Sequence, residues 1–226
     1  SFGLDALVLF KRKKMAIFFL FSMLLGAALQ ITNSYGDLFL SSFKDIPEYA
    51  NSFGVKHSVI LLSISQMSET LFILAIPFFL RRFGIKQVML ISMTAWVFRF
   101  GLFGLGNQGS GLPLLILSMI VYGMAFDFFN ISGSLFVEME TTPQIRASAQ
   151  GLFFMMTNGL GAIMGGYASG AIVDLFSKYA TVAGQTQVVS RDWQSIWLIF
   201  AAYALVIGIL FAMVFKYKNG SKMVKE

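Results

Sequence analysis

Long apolar stretches alternate with short polar and charged clusters along the whole chain. A membrane-spanning helix needs roughly 20 mostly apolar residues, because the hydrocarbon core is about 30 Å thick and a helix rises about 1.5 Å per residue. Stretches that meet this requirement lie near 15–40, 57–80, 86–106, 112–137, 145–175 and 193–216, with 1–14 as a leading linker and 217–226 as a tail. A membrane barrel would show segments of about 10 residues alternating in polarity, and these runs are longer and continuous. The pattern predicts an all-α integral membrane protein, a bundle of six transmembrane helices. The opening at Ser1 reads like the end of a linker, as expected for one half of a longer protein.

Composition agrees with this picture. Hydrophobic residues make up 57% of the 226 and charged residues 12%, against about 25% charged in a soluble domain. Cysteine is absent, which removes disulfides, thiolate metal sites and cysteine nucleophiles. The 17 basic residues exceed the 11 acidic ones, but they flank the apolar runs in short clusters, as topology determinants do; no nucleic-acid partner is expected. Lys11, Arg12, Lys13, Lys14, Arg81, Arg82, Lys86, Arg146, Lys216, Lys218, Lys222 and Lys225 fall on one side of a six-span layout, and Lys44, Lys56, Lys178 and Arg191 on the other. The side richer in lysine and arginine faces the cytoplasm, so both ends of the chain are expected there. Trp193 and Trp197 would form an aromatic belt at the outer face.

Charge inside the apolar runs is the next signal, since an ionised side chain at mid-bilayer costs about 2.5–3.5 kcal/mol on insertion scales. Glu69, Arg99 and Asp127 lie there. A short carboxylate at that depth cannot reach the interface, so each is protonated, paired with a cation such as Arg99, or turned to water. Gln30 and Asn33 are three apart, as are Gln66 and Glu69, so each pair shares a helix face. Tyr122, Phe126 and Asn130 follow at i, i+4 and i+8. Amides and a carboxylate beside aromatic rings suit a ligand with hydroxyls and ring heteroatoms. The plainer reading is polar contact between helices, worth about 0.6 kcal/mol per hydrogen bond. Gly161-x3-Gly165 and Gly166-x3-Gly170 are candidates for close helix packing, and Pro77 for a kink. His57 reads as an interfacial residue. No phosphate loop, metal cluster or nucleophile with a base stands at motif spacing; no enzyme activity, metal or cofactor is expected.

Longer strings carry a resemblance. Pro77-Phe-Phe-Leu-Arg-Arg-Phe-Gly-Ile-Lys-Gln-Val-Met89 resembles the second copy of the cytoplasmic loop motif of the major facilitator superfamily. Met23 to Asn33, Leu62 to Glu69, Tyr122 to Gly133 and Ile145 to Gly151 resemble the bacterial nucleoside:H+ symporter family, and the likeness runs from about residue 4 to 217. It implies the C-terminal half of a twelve-helix transporter in the bacterial inner membrane, with alternating access to a site at mid-membrane. It implies nucleoside contacts at Gln30, Asn33, Gln66, Glu69, Tyr122 and Phe126, with Asp127 important for transport; the cost of burying a carboxylate makes Asp127 or Glu69 the expected site of proton coupling. The implied partners are a nucleoside, H+, membrane lipid and an N-terminal six-helix half that this chain does not contain. Two other readings stay open: a sugar or oligosaccharide:H+ symporter of the same fold, and a membrane scaffold that transports nothing.

Overall fold

The structure, a computed structural model, describes residues 4–182 and 184–217. Residues 1–3 of the expected linker and 218–226 of the expected tail, with Lys218, Lys222 and Lys225, lie outside the described residues. Nearly everything described is helical. A 3-10 segment, Leu4–Lys11, leads into α1 (Lys13–Ser42), and a single turn, α2 (Phe53–Lys56), precedes α3 (Ser58–Leu105). Then come α4 (Leu112–Glu140), α5 (Pro143–Phe154), a π-helical segment at Met155–Gly161, α6 (Ala162–Leu175) and α7 (Trp193–Val214). Among the described residues, four segments are long and apolar enough to cross a membrane: Lys13–Asp45, Ser58–Leu105, Leu112–Glu140 and Trp193–Val214.

The long α3 is two helices in succession. Straight, its 48 residues would extend about 72 Å, more than twice the hydrocarbon thickness. The break is at Gly84, with φ 80° and ψ 171°, a conformation open to glycine and strained for side chains with a Cβ. Pro77 remains within helical φ/ψ in the first limb. The start of α4 is set by Asn107, whose Oδ1 accepts from the Gly109 and Gly111 amides at 2.8 and 3.0 Å, and by Pro113 in the first turn.

Residues 177–191 carry a feature that the apolar pattern did not predict. β1 (Ser177–Val182) and β2 (Gln185–Arg191) form an antiparallel hairpin with a bulge at Lys178/Tyr179. Gly184, at φ 79°, closes its turn.

Packing accounts for the order of the helices. Phe18 of α1 meets Phe129 and Phe136 of α4 and Phe153 of α5, with ring centroids 4.7 to 6.1 Å apart. Trp197 of α7 packs on Phe39, Phe100, Phe103 and Phe200. It is fully buried, so it is a core residue and not part of an interfacial belt. Trp193 is half-buried and carries the Arg191 guanidinium 5.7 Å from its ring centre. The two glycine pairs diverge as well. A Cβ at Gly161 or Gly165 would collide with the backbone of Met23 or Ala27 in α1, whereas one at Gly166 would meet nothing. Only the first pair lets two backbones approach closely.

Candidate functional site

Serines stitch α4 to both limbs of α3. Ser68 donates to the Ile120 carbonyl, Ser65 to the Met119 sulfur at 3.2 Å, and Ser92 to the Ala125 carbonyl at 2.5 Å. At the centre of this seam Gly123 lies so close to Ser68 and Glu69 that a Cβ would strike their backbone. Glu69 is thereby set beside the turn of α4 that carries Tyr122, Phe126 and Asp127.

Tyr122 and Phe126 stack with planes 3° apart and centroids separated by 6.1 Å. The ring of Trp96 stands nearly perpendicular to Tyr122, at 84° and 6.0 Å. Glu69 is half-buried and Asp127 only 6% exposed. Asp127 Oδ2 is buried with no hydrogen-bond partner. Among the described residues neither carboxylate forms an ion pair. Glu69 lies within electrostatic reach of Asp127, and Tyr122 within reach of Glu69, Arg99 and Asp127. An uncompensated carboxylate at this depth costs several kcal/mol if ionised, so the arrangement can take up a proton or a hydrogen-bonding ligand.

The pairing of a carboxylate with Arg99 weighed from the sequence does not occur. Arg99 is buried, and its Nε donates to Thr32 Oγ1 and its Nη1 to Ser118 Oγ, each at 3.3 Å. Its guanidinium carbon lies 4.0 Å from the centre of the Phe103 ring and 5.0 Å from that of Tyr122. Hydroxyl dipoles and π faces hold the cation in place of an anion. Sequence reading missed this cradle. The available signal was Trp96, Arg99 and Phe103 at i, i+3 and i+7, one face of a helix.

The amides complete the candidate wall on α1 and α3. Gln30 Nε2 donates to Ser34 Oγ at 2.9 Å, and Asn33 and Gln66 are exposed. Among the described residues no hydrogen bond joins Gln30 or Asn33 to Gln66 or Glu69, so α1 presents its amides separately from α3. These elements meet through the hydrogen bond of Arg99 to Thr32 and the ring contact of Phe39 with Phe103. A cleft of about 20 Å³, space for a single water, lies against Phe126 between Gly26, Trp96 and Thr157. Thr157 belongs to the π-helical segment, which therefore sits beside the aromatic pair. His57 is exposed at the end of α2 and takes no part. Among the described residues no cluster of metal-ligating side chains occurs.

Known proteins resemble this chain closely. It matches the family described as Nucleoside H+ symporter over residues 1–220. It is 60% identical over 218 residues to the nucleoside permease NupG of Escherichia coli K12, a match covering 96% of this chain and 50% of that protein. The xanthosine permease of Escherichia coli K12 is 58% identical over 225 residues, 99% of this chain and 52% of the permease. The crystal structure of nucleoside transporter NupG superposes with a TM-score of 0.84 at 60% identity, covering 96% of this chain and 51% of that one. The chain spans about half the length of the curated relatives it matches.

Proposed function

The chain belongs to the nucleoside H+ symporter family, and from that premise we propose that it forms the C-terminal half of a proton-coupled nucleoside transporter of the bacterial inner membrane. The two limbs of α3 count as two spans, and the helical run 143–175 as another, which makes six with α1, α4 and α7. This is the layout of half a major facilitator superfamily protein. Both ends of the chain then face the cytoplasm, a reading supported by the basic residues gathered where α1 begins and α7 ends. An N-terminal half supplies the opposite wall of the site.

One observation carries the reading: two carboxylates without a cation stand beside a stacked aromatic pair on one wall of a helical bundle. A nucleoside offers a planar base and a ribose with hydroxyls. Tyr122 and Phe126 provide the π surface for the base. Gln30, Asn33 and Gln66 offer both donors and acceptors, and Glu69 accepts from ribose hydroxyls, so that a dehydrated ligand finds matched partners. Asp127 is the proton carrier: its protonation removes a buried charge, lowering the cost of closing the site around substrate. Glu69, freed from pairing by the same geometry, binds substrate while Asp127 cycles.

Thermal stabilisation of the full-length transporter by uridine tests the assignment, since a ligand that binds the folded state raises its melting temperature. Uridine stabilises the wild type, and Gln66→Ala and Glu69→Ala lose the shift while sugars produce none in any variant. An equal shift in all variants would remove these residues from the site. A shift with sugars and none with uridine would favour the sugar symporter, and none with either ligand the scaffold.

A further inference from the structure

At the end of the bundle where α1 begins and α7 ends, a cavity of about 380 Å³ opens between the two helices. Lys13, Lys14 and Lys216 line it, together with Ile17, Met213 and Val214. The nearby carboxylate is already occupied: Glu140 receives Arg12 at 2.6 Å and Lys14 at 2.7 Å. Lys13 and Lys216 are exposed, and among the described residues neither forms a hydrogen bond or ion pair. Lys86 lies outside this lining, its Nζ donating to the Ala212 carbonyl at 3.1 Å.

Apolar surface continues directly from these charges. Val206, Ile209, Leu210, Met213 and Val214 are all exposed on α7, at helical spacing along one face. From Val206 to Val214 the stripe runs about 12 Å along the helix axis. No residue of the candidate nucleoside wall lies on α7. The polar wall is the surface for the other half of the transporter, and the α7 stripe faces hydrocarbon. A free anion or an acidic peptide would leave that stripe unused. A molecule with an anionic head and a hydrocarbon tail fits both parts, and basic pockets between helices at the cytoplasmic interface suit such headgroups.

We propose that this cavity is a binding site for one anionic phospholipid. Lys13 and Lys216 hold the phosphate, and an acyl chain lies along Met213, Leu210 and Val206. The inference rests on the half-transporter layout proposed above but not on the nucleoside contacts, because none of its residues belongs to the substrate wall.

Native mass spectrometry of the full-length transporter in detergent, titrated with phosphatidylglycerol, phosphatidylcholine or inorganic phosphate, tests it. Each lysine near an anionic lipid surface is worth about fivefold in binding. The double variant Lys13→Gln, Lys216→Gln is therefore expected to bind phosphatidylglycerol roughly thirtyfold more weakly, and Lys13→Arg, Lys216→Arg to bind it like the wild type. Should the double variant fail to fold, the single exposed change Lys216→Gln is expected to show about a fivefold loss. Phosphatidylcholine binds more weakly than phosphatidylglycerol, and inorganic phosphate does not displace the lipid. Undiminished binding in the glutamine variants, equal binding of the two lipids, or displacement by inorganic phosphate would each overturn the proposal.

Discussion

The guanidinium carbon of Arg99 lies 5.0 Å from the centre of the Tyr122 ring, and Tyr122 in turn lies parallel to Phe126. A buried cation thus fixes one face of the aromatic pair assigned to the nucleoside base, while Thr32 on α1 and Ser118 on α4 hold the cation itself. Replacing Arg99 by glutamine removes a desolvated cation–π contact worth about 2 kcal/mol, equivalent to roughly thirtyfold. The contact exists before substrate arrives, so only the part that positions Tyr122 for the base reaches binding: uridine affinity in the full-length transporter, measured by titration calorimetry, is expected to fall by at most that factor. Arg99→Lys should recover only part of it, because an ammonium cannot reproduce the fork that reaches both hydroxyls. Unchanged affinity in Arg99→Gln would detach Tyr122 from the substrate.

Glycines of identical motif spacing give opposite expectations. Gly165→Ala places a methyl group against the Ala27 backbone, and Gly166→Ala meets open space. Overpacking of this kind costs about 1–3 kcal/mol. The melting temperature of the detergent-solubilised protein should fall for Gly165→Ala and hold for Gly166→Ala. Equal effects would mean that α1 and α6 do not cross as described.

Asp192 caps α7, accepting from Ser195 Oγ at 2.7 Å and from the Ser195 amide at 3.1 Å. Those two hydrogen bonds hold its carboxyl below the usual carboxylate range. In the folded state the group keeps its charge to lower pH than in the unfolded state. Its contribution is therefore complete above the unfolded value, about 3.9, and is lost as pH falls through the lowered one. Asp192→Ala should cost about 1 kcal/mol at neutral pH. Asp192→Asn should keep most of the cap and flatten the acid limb of a melting-temperature profile. An acid limb identical to the wild type in Asp192→Asn would place its origin elsewhere.

Periodicity reads well where one helix decides the outcome. The three-residue spacings of Gln30 with Asn33 and of Gln66 with Glu69 place each pair on one face whatever the helix packs against. Likewise the charged turn at Arg81, Arg82 and Lys86 marks where α3 breaks, and Gly84 supplies the positive φ that breaks it. Features set by two elements together were not legible. Trp193 and Trp197 look alike along the chain, yet neighbouring phenylalanines bury Trp197 completely. Arg99 invited a carboxylate partner, because no local pattern announces that Thr32 and Ser118 come within reach from separate helices. The hairpin at 177–191 escaped for a further reason: its strands are mostly exposed and carry no buried face to set a period-two pattern.

Proton-driven accumulation of radiolabelled uridine by the full-length transporter in proteoliposomes, comparing wild type with Asp127→Asn, reads the coupling role of Asp127. Asparagine keeps the size of the side chain and cannot cycle a proton. Asp127→Asn is expected to bind uridine still and to equilibrate it across the membrane, but no longer to concentrate it under an imposed proton gradient. Undiminished accumulation in Asp127→Asn would contradict that role.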